Sequence, residues 1–125
     1  MLLTIQPNIR KPIYEQLILE LKQGVIRGEL KPGERLPGSR ILAADLGINM
    51  HTVNKVYKQM EQEQVFLKSR GGFIVNTQRL TGFTSDAKKD FQTKLYEIIV
   101  EKELYQISDQ EFEELVADTK NELRR

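Results

Sequence analysis

Cysteine and tryptophan are absent from this 125-residue chain, and histidine occurs once, at His51. Without thiolates there is no disulfide framework and no sulfur-ligated metal site, and one imidazole cannot complete a histidine cluster, so neither metal nor cofactor is expected. Ser39 has no histidine near it in sequence to act as a base. The carboxylates Glu111, Glu113 and Glu114 read as the solvated start of a helix, where negative charge opposes the macrodipole favourably. An enzyme is therefore not expected. No N-terminal apolar run resembles a signal peptide or a membrane span, so the expectation is a cytoplasmic protein without membrane contact.

What is present fits one small core and an appendage, since 39% of the residues are hydrophobic and a chain this short has no room for a large ligand-binding domain. The formal net charge of +1 conceals a division: residues 1–80 carry 12 basic and 7 acidic side chains, and residues 81–125 carry 7 and 11. The first part suits a phosphate backbone, and the second would repel one. Ordinary surface variation would produce a split of the same size, so motifs must decide.

The spacing predicts a first helix from Pro12 to about Arg27, with proline in the first turn and Gly28 ending it. Ile13, Leu17, Leu21 and Val25, joined by Ile18, form its apolar stripe. Lys31-Pro32-Gly33 reads as a turn leading to Leu36-Pro37, after which Gly38 or Ser39 caps a short helix to about Leu46. Ile41, Leu42 and Leu46 are its expected apolar side. Gly47 then permits a left-handed residue, and Asn49 caps a third helix. There Val53, Val56, Tyr57 and Met60 form a core stripe, and Met50, His51, Thr52, Asn54, Lys55 and Lys58 face elsewhere.

Two helices joined by so short a turn cross steeply, which lets the first lie over a DNA backbone while the second enters the major groove. The β-prone runs Val65-Phe66-Leu67 and Phe73-Ile74-Val75 flank Lys68-Ser69-Arg70-Gly71-Gly72, a hairpin with a basic, glycine-rich tip. Helix, turn, helix and hairpin in that order make a winged helix-turn-helix. The glycines serve the turn in any case, and they also allow backbone to approach sugar and phosphate.

Several segments resemble the GntR family of bacterial transcription regulators: Pro12-Ile13-Tyr14-Glu15-Gln16-Leu17, Gly33 with Leu36-Pro37, Arg40 with Leu42-Ala43, Leu46-Gly47-Ile48, Thr52 to Tyr57, and the wing from Arg70-Gly71 to Val75. The likeness spans about residues 7–77. It implies phosphate or base contacts at Arg40, Asn49, Met50, His51, Thr52, Asn54, Arg70 and Gly71. Position adds Ser39, Lys55 and Lys58 to the DNA-contact candidates, with Arg40 and the two lysines on phosphate and Asn49 and Asn54 on adenine. For His51 an idle surface position stands beside the contact. This chain departs from the pattern at Gly38, where a serine cap is usual, and at Gln64, where a glycine is usual. It also lacks an arginine at the start of the recognition helix, so no bidentate guanine contact comes from there.

The tail after residue 80 is short and resembles the YtrA-like subfamily. Ser85-Asp86 opens a helix to about Tyr105 with Phe91, Leu95, Ile98 and Ile99 on one face. Ser108 to Glu111 has capping-box spacing and opens a last helix bearing Phe112, Leu115, Val116, Thr119 and Leu123. Two such helices bury each other's stripes poorly, so a homodimer is expected, with a fold-back onto the DNA-binding part as the alternative. The expected organisation is a DNA-binding domain at 1–77, a pivoting linker at 78–84 and a two-helix dimerisation region at 85–125. The function expected is a repressor on a palindromic operator in duplex DNA, with transporter genes implied by the subfamily likeness. A small-molecule effector is left open. A protein-interaction module, or a small-molecule sensor with a pocket at the dimer or domain interface, is the alternative.

Overall fold

The computed structural model describes residues 3–6, 10–78 and 85–125. Its elements are α1 (Ile13–Ile26), α2 (Ser39–Leu46), α3 (Met50–Gln62), β1 (Phe66–Ser69), β2 (Gly72–Val75), α4 (Ser85–Leu104) and α5 (Asp109–Arg124). The chain is mainly helical with one antiparallel hairpin, and it divides into the units Met1–Leu80 and Thr81–Arg125. Of the expected linker only Gln78 is described, and the proposed pivot at 79–84 lies outside the described residues.

In α1 the stripe buries Leu17 and Leu21, with Ile18 and Val25 packed partly against the core. Pro12 stands one residue before the helix instead of inside it, with ψ at 147°. Its carbonyl still accepts the Gln16 N–H at 3.0 Å, because a cap residue is extended while its C=O already serves the first turn. The buried Gln16 amide accepts from the Gln6 N–H at 2.9 Å and donates to the carbonyls of Gln6 at 3.0 Å and Lys11 at 2.8 Å. That pairing holds the segment of Leu3 and Ile5 against the core.

Helix α2 begins after Gly38, which caps it without a side-chain bond. Its buried residues are Leu42 and Ala43; Ile41, expected on the apolar side, is 62% exposed. One residue is about 100° of helical rotation, so a face centred between Leu42 and Ala43 turns Ile41 outward. Gly47 takes φ 68°, the Gly47 N–H reaches Ala44 O at 3.3 Å and the Ile48 N–H reaches Ala43 O at 3.0 Å. This closes the last turn and releases the chain at once into α3.

All four stripe residues of α3, Val53, Val56, Tyr57 and Met60, are buried. The Tyr57 hydroxyl donates to Pro37 O at 2.7 Å, and its ring meets Phe66 and Phe73 edge-on at 5.9 and 5.4 Å between centroids. Burial pushes the phenol above its ordinary range, so it stays a donor and ties α3 to the entry of α2. Leu30, Leu36, Val65, Phe66 and Val75 complete the core from outside the helices.

Gln64, at φ 62°, ends α3 in the left-handed conformation that a glycine would adopt freely. Its neighbours compensate: the Val65 N–H donates to Met60 O at 2.9 Å, and Asn76 Nδ2 donates to Gln64 O at 2.7 Å. In the hairpin Phe66 faces Val75 and Ser69 faces Gly72. The turn is therefore Arg70-Gly71 alone, at φ 49° and 79°. Positive φ at both central residues is what a tight type I′ connection requires, and the five-residue tip expected from Lys68 to Gly72 shrinks to two. Beside β2, Arg35 forms an isolated antiparallel bridge with Ile74, flanked by the Leu36 N–H donating to Phe73 O and the Val75 N–H to Glu34 O, both at 2.9 Å.

The second unit is an αα-hairpin. Ser108 caps α5, its Oγ accepting the Glu111 N–H at 3.1 Å. Lys102 is the buried residue of α4; its Nζ reaches Asp109 at 2.8 Å, Ile107 O at 3.0 Å and the Phe112 ring at 5.8 Å from the centroid. The hydrogen bond between them raises the Lys102 pKa and lowers that of Asp109. Helix α5 buries no residue.

Candidate nucleic-acid interface

The helix-turn-helix presents α3 by its first turn. Asn49 caps the helix, its Oδ1 accepting the His51 N–H at 2.8 Å, and the Thr52 N–H donates to Asn49 O at 3.0 Å. Neither α2 nor α3 has an acidic residue in its first turn, so the positive ends of both dipoles are unopposed. The faces that α3 leaves outside the core carry His51, Lys55 and Lys58, all exposed, with Thr52 and Asn54 half-buried.

Two expected site residues are less available than the sequence implied. Asn49 already uses its side-chain oxygen in the cap, and adenine readout needs both amide atoms. Asn54 makes no side-chain hydrogen bond among the described residues and is the asparagine better placed for that role. Met50, expected to face away, packs partly against the core. Its long flexible side chain fills the space beside the helix start.

Lys55 stands with its Nζ 4.8 Å from the centroid of the Tyr14 ring. The aromatic face steadies the cation without neutralising it. Arg40 is exposed on the second residue of α2, and Ser39 beside it is half-buried. On the hairpin, Arg70 and Gly71 are the exposed pair at the turn.

Sequence reading missed Arg35. Its Nη2 donates to Ser69 O at 3.1 Å, at the end of β1 next to the turn. The only signal was a charged residue followed by an apolar one at Arg35-Leu36, too short to announce pairing with β2. Among the described residues no group of three or more His, Cys, Asp or Glu side chains is arranged to hold a metal ion. No described helix is long and apolar enough to cross a membrane.

Residues 13–75 match the family model for bacterial regulatory proteins of the gntR family. The chain is 38% identical over 82 residues to the HTH-type transcriptional repressor YtrA of Bacillus subtilis (strain 168), covering 64% of this chain and 63% of that protein. It is 37% identical over 71 residues to the HTH-type transcriptional regulator Rv1152 of Mycobacterium tuberculosis, spanning 58% of its length. Among solved structures, a transcriptional antiterminator from Listeria monocytogenes EGD-e superposes with a TM-score of 0.91 at 26% identity, covering 100% of this chain and 94% of that one. The GntR-family transcription factor YtrA from Sulfolobus acidocaldarius gives 0.64 at 28% identity, over 78% and 97% of the two chains. A match over half of the chain, on the same residues that build the winged helix-turn-helix, means that this protein belongs to the GntR family of bacterial regulatory proteins.

Proposed function

We propose that the protein is a sequence-specific transcriptional repressor that binds a palindromic operator as a homodimer. The observation that carries this reading is α3: a capped helix with four core residues on one side and His51, Asn54, Lys55 and Lys58 outside that core, beside a basic hairpin turn. Helix α3 enters the major groove, with Asn54 reading an adenine edge and Lys55, Lys58 and Arg40 on phosphate. Arg70 and Gly71 meet the flanking backbone or minor groove. Asn49 serves mainly as the cap.

Residues 85–125 supply the dimer contact. Leu95, Ile98, Tyr105, Phe112, Leu115 and Val116 line a groove of about 530 Å³, and a second copy covers it to give a four-helix arrangement. A two-fold dimer then sets two copies of α3 about 34 Å apart on the operator. Transporter genes as targets rest on the YtrA-like resemblance alone, and a cytoplasmic location goes with the reading.

The test is selection of duplexes from a random-sequence pool by the whole chain at low and high salt, with its mass measured in the same buffer. A palindromic motif bound by two copies, with affinity falling steeply as salt rises, is the expected result. No enrichment at either salt overturns the DNA reading in favour of a protein-interaction module. A motif located near transporter genes supports the target assignment, and its absence there removes it.

A further inference from the structure

Arg35 lies outside both the recognition helix and the hairpin, yet it touches both flanks of the wing turn. Its backbone is fixed to the outer edge of β2, where it forms an antiparallel bridge with Ile74. From that edge the side chain crosses β2: Nη2 donates to Ser69 O at 3.1 Å, and Nη1 lies 2.8 Å from where a Cβ at Gly72 would stand. Ser69 and Gly72 are the register pair that closes the turn. The missing side chain at Gly72 is thus the seat of the guanidinium, and the guanidinium ties the incoming strand to the outgoing one.

We infer that Arg35 is the positioning residue of the wing, a brace that holds the Arg70-Gly71 turn in its DNA-ready conformation before any duplex arrives. The inference rests on the DNA-binding reading above. An isolated two-stranded hairpin is marginal in water, and this one has a non-glycine residue at φ 49° in its turn. A charge-assisted bond from outside the hairpin offsets that weakness. Ordering the tip in the free protein removes an entropic cost from the binding step.

Two substitutions separate the brace from a mere positive charge near DNA. Arg35→Ala removes both. Gly72→Ala keeps the charge and fills the seat, and since Gly72 does not need positive φ, alanine suits its backbone; the guanidinium, at the far end of a flexible side chain, must move away. In the free chain, the amide order parameters of residues 69–72 are expected to fall from rigid values of ~0.85 toward ~0.6 in both variants. Affinity for a duplex recovered from the random pool is expected to weaken roughly three- to tenfold in both, with no further loss when either is combined with Arg70→Ala. Arg35→Lys, which has no planar fork to span the two strands, should fail to restore either readout.

Unchanged tip order in both variants overturns the inference. So does a Gly72→Ala protein that binds as the parent does while Arg35→Ala is impaired, since Arg35 would then act by charge alone. If the parent chain retains no duplex, the DNA reading falls while the relaxation measurement still decides the brace.

Discussion

The two units of this chain both carry apolar side chains on their helices and reach opposite outcomes. In Met1–Leu80 three helices and a hairpin close around Leu17, Leu21, Val53, Val56, Tyr57, Met60 and Phe66, and among the described residues every buried hydrophobic one lies from position 17 to 75. In Thr81–Arg125 the stripe residues Phe91, Leu95, Ile98, Ile99, Leu115, Val116 and Leu123 are all exposed, Phe112 is half-buried, and the buried residue is a lysine. An apolar stripe becomes a core only when other elements approach it from several directions. Two helices offer each other one side, and the rest of each stripe faces outward.

The largest expected effect tests the closed unit. Phe66→Ala should cost about 3–5 kcal/mol in a denaturant titration, by lost burial and the cavity left behind. A loss below ~1 kcal/mol would mean that the first unit is not packed as described. The matching cut in the second unit is Ile98→Asp, which places a charge on a face that is 50% exposed in one chain. It should leave the helical content of one chain nearly unchanged and weaken self-association by at least ~100-fold in sedimentation equilibrium, because burying an unpaired carboxylate costs several kcal/mol. A parent chain of single-copy mass would instead end the dimer reading and leave the contrast between the units unexplained.

Smaller effects sharpen the contrast. Arg40→Ala should weaken duplex binding about tenfold at low salt, alter no base preference, and lower the slope of affinity against salt by about one phosphate contact; a change of preference at a single base step would assign Arg40 to base readout. Gln64→Gly should raise the stability of the first unit by roughly 0.5–1 kcal/mol, since it relieves the left-handed strain and gives part of the gain back in chain entropy. Asn76 bonds the main-chain oxygen of residue 64, which glycine keeps, so a lower unfolding midpoint would show that the entropic cost of glycine outweighs the relieved strain.

The smallest effect is a pH dependence confined to the second unit. The Asp109 pKa is lowered by its hydrogen bond to Lys102, so its contribution is present above the unfolded carboxylate range and lost as pH falls through the lower folded value. The Lys102 pKa is raised by the same bond, and that contribution is present below the ordinary lysine range and lost as pH rises through the higher folded value. The helical signal of α4 and α5 should therefore weaken at both extremes, and Asp109→Asn should remove the acid limb. Identical acid profiles for the parent and the variant would show that the pair does not brace the hairpin.

Helix existence and order were legible because periodic apolar residues and local stop signals carry them. The Val53, Val56, Tyr57 and Met60 stripe, the Gly47 exit and the caps at Asn49 and Ser108 are all properties of a few adjacent residues. Ile41 was misplaced because a short helix with four consecutive apolar or small residues, Ile41 to Ala44, fits more than one face, and the neighbours decide which is buried. The two-residue wing turn was hidden because register, set by pairing between strands, determines where a turn begins.

For the site, the composition of α3 and the wing pointed to DNA, but the availability of individual side chains did not follow from it. Asn49 looked equally able to cap and to read a base until its oxygen was found on the His51 N–H. Met50 is apolar at a position where exposure depends on what packs beside it. By itself, the sequence determined the family, the order of elements and the polar character of α3, since these rest on local spacing and residue type. Tertiary structure alone decided that Arg35 reaches across β2 to the wing turn and that Lys102 bridges to Asp109 and Phe112, because such contacts join residues whose separation along the chain says nothing about their distance in space.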